Sequence, residues 1–192
     1  MSTPDRDRIS AALIDAAERM TTLDIDTNQL ASAVSGFPNV ASVTADPSFP
    51  HGLTVHVTER MPVLVASEGH RRRTPVAADG SVLPGVEVDG STLPVLRVDD
   101  VPASGRLHGE ALDEPRVIGA APPPLRPLIE GVATSRDYGI VATLQRGIDL
   151  RFGAASKPRA KWAAAAAILA DPKVTSLDYV DIRVPSRPAI GG

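Results

Sequence analysis

Val40-Ala41-Ser42-Val43-Thr44-Ala45-Asp46-Pro47-Ser48-Phe49-Pro50-His51-Gly52-Leu53-Thr54-Val55-His56-Val57 is where the periodicity of this chain changes. Val43 and Ala45, then Leu53, Val55 and Val57, alternate with polar neighbours, which is the period of a strand with one dry face. The turn chemistry of Pro47 to Gly52 lies between the two runs, so the stretch predicts a β-hairpin. Upstream the apolar residues recur at helical spacing instead. Ile9, Leu13, Ala16, Ala17 and Met20 form one stripe, behind a capping Thr3 and with Pro4 in the first helical position. Leu30, Ala33, Val34 and Phe37 form a second, opened by Asp26 with Gln29 in capping-box spacing and closed by Gly36 and Pro38. The first sixty residues therefore predict two helices packed on a hairpin.

Downstream of the hairpin the rhythm is of short strands bounded by Gly and Pro. Glu59, Arg60, Met61, Pro62 and Val63 bridge into it, which predicts two domains, 1–61 and 62–192. Strands are expected at Val63 to Ala66, Pro75 to Ala78 and Leu93 to Val98, with Asp79-Gly80 as a tight turn before Val82 and Leu83. Glu110 to Ala120 predicts a helix, halted by Pro122, Pro123 and Pro124. Ile140, Ala142 and Leu144, a turn at Arg146-Gly147, and Ile148, Leu150 and Phe152 read as a second hairpin. Ser156 as cap and Pro158 in the first turn open a helix with Trp162, Ala165, Ala166 and Leu169 inward. In the last expected strand Val180, Ile182 and Val184 point one way, and Tyr179, Asp181 and Arg183 the other. Pro185 and Pro188 end its pairing.

Composition narrows the function classes. The 192 residues are 43% hydrophobic and 22% charged, with 15 Gly and 18 Pro, which suits a turn-rich globular protein better than a helical bundle. No cysteine is present, so thiol nucleophiles, disulfides and cysteine-held zinc are excluded. The longest apolar run, Trp162 to Ala170, is far short of the roughly 20 residues that span a bilayer. Asp5, Arg6, Asp7 and Arg8 stand where a signal peptide needs an apolar stretch. Aromatic residues are 3% of the chain and the basic ones are scattered, so a base-stacking surface for nucleic acid is not expected.

Two helices, a hairpin, Glu59-Arg60-Met61-Pro62-Val63, Asp79-Gly80 and Leu93-Pro94 occur in an order that resembles the FtsQ/DivIB family of bacterial cell-division proteins. The similarity runs from about Ile9 to Ile190, and its most specific parts are Phe37-Pro38-Asn39-Val40, the segment from Glu59 to Val63, and Tyr179-Val180-Asp181-Ile182-Arg183. The resemblance implies an α+β protein: a POTRA-like domain of βααββ order, then a mostly antiparallel β domain with packed helices. It implies display on the extracytoplasmic face of the cell membrane at the division site, no catalysis, no cofactor, and partners of the FtsB and FtsL type. Measured against that pattern, the cytoplasmic tail, the membrane anchor and the first POTRA strand are missing. Met1 is then a mis-assigned start or the beginning of a truncated piece, and the hairpin keeps an open edge that invites self-association. The alternative is a POTRA-containing module of another envelope assembly or secretion system.

In the family the last strands of the β domain receive a strand from FtsB. The matching positions here are Tyr179, Val180, Asp181, Ile182, Arg183, Val184 and Ser186, with pairing expected to stop near Val184 because Pro185 and Pro188 have no N–H. The other reading of the same segment is an internal or shielded strand. Glu59, Arg60, Pro62 and Val63 read as an interdomain joint, with Arg60 pairing a carboxylate, or as a recruitment surface. His70, Arg71, Arg72 and Arg73 are a basic hairpin tip, either simply solvated or facing a polyanion. Asp46, His51, His56 and Glu59 cluster around one hairpin, but their spacing matches no metal or catalytic motif, and a solvated face accounts for them.

Overall fold

The computed structural model describes residues 3–69, 72–88, 93–103, 105–174 and 176–192. The chain divides into two compact units, Met1–Met61 and Pro62–Gly192. In the first, α1 (Thr3–Ala17) and α2 (Thr27–Ala33) precede β1 (Val40–Ser48) and β2 (Gly52–Glu59). The Asp26 carboxylate accepts the Asn28 and Gln29 amides at 2.9 and 3.3 Å, satisfying two N–H groups that the helix itself cannot bond. β1 and β2 pair antiparallel with Val43 opposite Val57 and Ala45 opposite Val55, so the period-two residues share one face. That face meets the helical stripes in a core of Ile9, Leu13, Leu30, Val34, Val40 and Val43. Arg60 stitches the hairpin's open end. Its N–H reaches Asn39 O at 2.7 Å, and its guanidinium donates to Pro38 O at 2.9 Å and to Val40 O.

The second unit is an eight-stranded mixed sheet with helices on one side. In chain order it contains β3 (Pro62–Glu68), β4 (Arg72–Ala77), β5 (Val95–Val98), α3 (Asp113–Gly119), β6 (Ile129–Ser135) and β7 (Gly139–Leu144). β8 (Asp149–Gly153), α4 (Pro158–Leu169), β9 (Tyr179–Asp181) and β10 (Ala189–Gly191) follow. The spatial order is β10-β9-β8-β7-β6-β5-β3-β4. Four neighbouring pairs are antiparallel; β3–β5, β5–β6 and β8–β9 are parallel. The architecture is α+β, as expected from the sequence.

α3 lies on β3 and β6, and α4 lies on β8. Their inward residues Val117, Ile118, Trp162 and Ala165 close one core with Leu64, Leu96, Val132, Ile140, Leu150, Phe152, Val180 and Ile182. Trp162 is fully buried, packs against the Phe152 ring at a 56° tilt with centroids 4.9 Å apart, and donates its indole N–H to Val117 O at 2.7 Å, which ties α4 to α3. Lys161 is buried beside it, with Nζ 2.7 Å from both Phe152 O and Ala154 O. Burial pushes its pKa below the usual lysine range.

Several elements differ from the sequence expectation. β6 was not expected: a bulge between Ile129 and Gly131 breaks its alternation, so its buried residues Ile129 and Val132 stand three apart. α4 is entered through Lys157 in the left-handed conformation (φ +51°), and no side chain caps it, so Ser156 is not the cap. The last strand is not Tyr179 to Val184. β9 stops at Asp181, and after a turn through Pro185 the chain returns as β10 and pairs antiparallel with β9. Pro185 and Pro188 lie in the connection between two strands and do not end the sheet.

Candidate functional site

The carboxy-terminal margin of the sheet is built on alternation. Leu150 and Phe152 of β8 and Val180 of β9 point into the core, so Asp149, Arg151, Tyr179 and Asp181 stand on the opposite face. The parallel register places Asp149 beside Tyr179 and Arg151 beside Asp181. The Arg151 guanidinium lies 3.7 Å from the centroid of Tyr179 and 3.8 Å from that of Tyr138, the two tyrosines of the chain. Its Nε is buried without a hydrogen-bond partner, and the two π faces serve its charge instead. Thr143 donates to Asp149 at 2.9 Å along the same face.

Asp181 is held by Arg183. The Arg183 Nε lies 3.0 and 2.9 Å from the two carboxylate oxygens, Nη2 lies 2.6 Å from Oδ2, and the Arg183 N–H reaches Oδ1 at 3.1 Å. These bonds hold the Asp181 pKa below the ordinary carboxylate value; burial opposes them, and the charge of Arg151 adds to them. Tyr138, Arg151, Tyr179 and Asp181, with Arg183 behind them, gather two cations and one carboxylate on this face, joined by the ring contacts of Arg151 and the bonds between Arg183 and Asp181.

The strand order decides which edge is open. Asp178 O accepts from Asp149 N and Ile182 N donates to Arg151 O, so these groups face β8. By alternation the main-chain groups of Tyr179 and Asp181 face β10, where Gly191 and Ala189 are their register partners. Tyr179 to Asp181 is therefore flanked on both sides and is not the free margin. β10 is the outermost strand, and its Ile190, opposite Val180, turns its N–H and C=O away from β9. Ile190 is 49% exposed.

Of the other expected site residues, Ile182 is buried in the core, Arg183 and Val184 are exposed in the connection, and Ser186 is exposed in the turn. Glu59 ends β2, Pro62 begins β3, and Val63 packs against the second unit's core. His70, Arg71 and the Arg72 side chain lie outside the described residues; Arg73 is on β4, opposite Ser67. His56 Nε2 is 3.2 Å from Asp46 Oδ2 on an exposed face, and no group of three potential metal ligands gathers among the described residues. Tyr138, Arg151 and β10 were not singled out from the sequence. The available signal was that Arg151 holds the polar position between inward Leu150 and Phe152.

Residues 5–60 match the FtsQ-type POTRA domain, and residues 64–183 match the C-terminal domain of the cell division protein FtsQ/DivIB. No curated protein matches the chain. FtsQ/DivIB proteins are non-enzymatic scaffolds of the division machinery, associated with the membrane at the division site. No helix among the described residues is long and apolar enough to cross a membrane. The C-terminal match alone spans well over half of the chain and the POTRA match precedes it in tandem, so this chain belongs to the FtsQ/DivIB family.

Proposed function

We propose that this protein is a divisome scaffold on the outer side of the cytoplasmic membrane, and that it holds division partners of the FtsB and FtsL type by strand addition at the carboxy-terminal margin of its sheet. The observation that carries this reading is the position of β10: a terminal strand whose Ile190 presents one outward donor and acceptor. In this reading Tyr179, Val180 and Asp181 seat β10 from behind, while Ile182, Arg183, Val184 and Ser186 form the connector that sets its angle. The partner strand pairs with β10. The C-terminal family match favours division over another envelope assembly or secretion system.

Ile190→Pro tests it, because the substitution removes the outward N–H without removing a bond to β9. Calorimetric titration with the extracytoplasmic part of an FtsB-type partner is expected to show at least tenfold weaker binding. Unchanged affinity refutes strand addition at this edge. Amide exchange at Tyr179 and Asp181 verifies that β10 stays seated in the variant.

Self-association belongs to the same proposal. β2 has no strand on its outer edge among the described residues, and Leu53, Val55 and Val57 line a groove of about 360 Å³ with Ile9, Leu13 and the exposed Ile14. A second copy pairing along β2 covers that apolar surface. Sedimentation is expected to show concentration-dependent association, and Val55→Lys is expected to abolish it; a monomer at all concentrations refutes it.

A further inference from the structure

A groove of about 830 Å³ opens in the second unit between the end of α3, the segment at Pro122 and the start of α4. Ala121 and Pro122 contribute to a small-residue floor, and among the described residues four cations (Arg116, Arg126, Lys157 and Arg159) line it and no acidic side chain does. In a chain of net charge −3 this is a local inversion of sign. Arg126 directs Nε to Ala121 O at 2.9 Å, which fixes its guanidinium against the wall. Arg116 has one exposed ion pair, with Asp113 at 3.0 Å. Lys157 and Arg159 have no ion-pair partner among the described residues. Both also sit at the positive end of α4, whose first turn has no acidic residue, so the chain places like charge where helix electrostatics disfavour it. Local rules broken in this way, around a concavity, mark a surface shaped for something other than folding.

We propose that this groove docks an extended acidic segment of a partner protein, as a second interaction surface separate from β10. Its volume lies toward the upper end of the range for ligand sites and is far too large for one inorganic anion. Carboxylates along an extended chain recur on one face about every 7 Å, which suits cations distributed around a groove. Arginine binds such carboxylates bidentately, and a floor of Ala and Pro lets the peptide main chain lie close. The proposal rests on the scaffold reading, since it supplies a second site for a division partner.

The test uses the full chain and a fluorescein-labelled (Glu-Ala)5 peptide, read by anisotropy. Saturable binding that weakens with salt is expected, and the double variant Lys157→Glu, Arg159→Glu is expected to bind at least tenfold more weakly. Both side chains are exposed and Glu suits the positive end of α4, so the variant's unfolding midpoint is expected to equal or exceed that of the parent. Binding of the FtsB-type partner at β10 is expected to survive in the double variant, and peptide binding to survive in Ile190→Pro, so the two readings fail independently. No binding to the parent, or equal binding to the double variant, overturns the proposal. Displacement of the peptide by vesicles of phosphatidylglycerol at lower concentration overturns it in favour of a membrane surface.

Discussion

Replacing Gly191 with Ala places a methyl carbon 2.3 Å from Cε1, 2.6 Å from Cζ and 2.8 Å from Oη of Tyr179. Carbon atoms rest about 3.5–4.0 Å apart, so ring and strand must separate by roughly 1.2–1.7 Å. Two relaxations compete. The ring can leave Arg151, which lies 3.7 Å from its centroid, at a cost of about 0.5–2 kcal/mol for a stacked cation. Alternatively β10 can lift. Its few hydrogen bonds are worth about 0.5–1.5 kcal/mol each, and releasing the strand returns roughly 1–2 kcal/mol of backbone entropy per residue. Lifting β10 is therefore the cheaper response, with a global loss of stability below about 1 kcal/mol. The effect is concentrated locally. The Tyr179 and Asp181 amides face β10 alone, so their hydrogen exchange is expected to accelerate by up to about fivefold, the equivalent of about 1 kcal/mol of opening free energy. The Ile182 amide, bonded to Arg151 O, is the internal control and is expected to be unchanged. If all three amides keep their parental protection in Gly191→Ala, the close approach does not seat β10 and the reasoning fails.

Two further predictions concern charge. The folded-state pKa of Asp181 is depressed by Arg183, so the stability it contributes is fully present above the unfolded value near 3.8 and is lost as pH falls through the folded value. Asp181→Asn is expected to flatten the acid limb of a urea-midpoint profile in that window; an identical limb in both proteins refutes the assignment. Lys161 is depressed from 10.5 by burial, so the folded protein releases this proton first and the group's contribution to stability rises with pH between the two values. Lys161→Met is expected to lose that alkaline rise and to cost about 1–3 kcal/mol at neutral pH, because Phe152 O and Ala154 O lose their donor. A variant as stable as the parent in denaturant titrations at pH 7 refutes it.

The elements most legible in the sequence are those whose stabilisation is local or periodic. Asp26 announced α2 because its carboxylate bonds amides two and three residues away, and β1–β2 and β7–β8 were visible because one face of each is dry over consecutive alternations. β6 was hidden by a single inserted residue that shifts Val132 off the period of Ile129. β10 was hidden for a different reason: Ala189-Ile190-Gly191 buries little and has no pattern of its own, and it is a strand only because β9 offers unpaired groups beside it.

The same division holds for function. Side-chain periodicity, caps and turn residues determined the order of helices and hairpins, and with it the resemblance to the division family, because each depends on neighbours within a few residues. Which strand lies at the sheet's edge, that both tyrosines meet on Arg151, and that Arg116, Arg126, Lys157 and Arg159 share one groove were decided by tertiary structure. Most of these groups come from different elements of the chain, and only closing the core around Trp162 and Phe152 fixes where those elements come to rest.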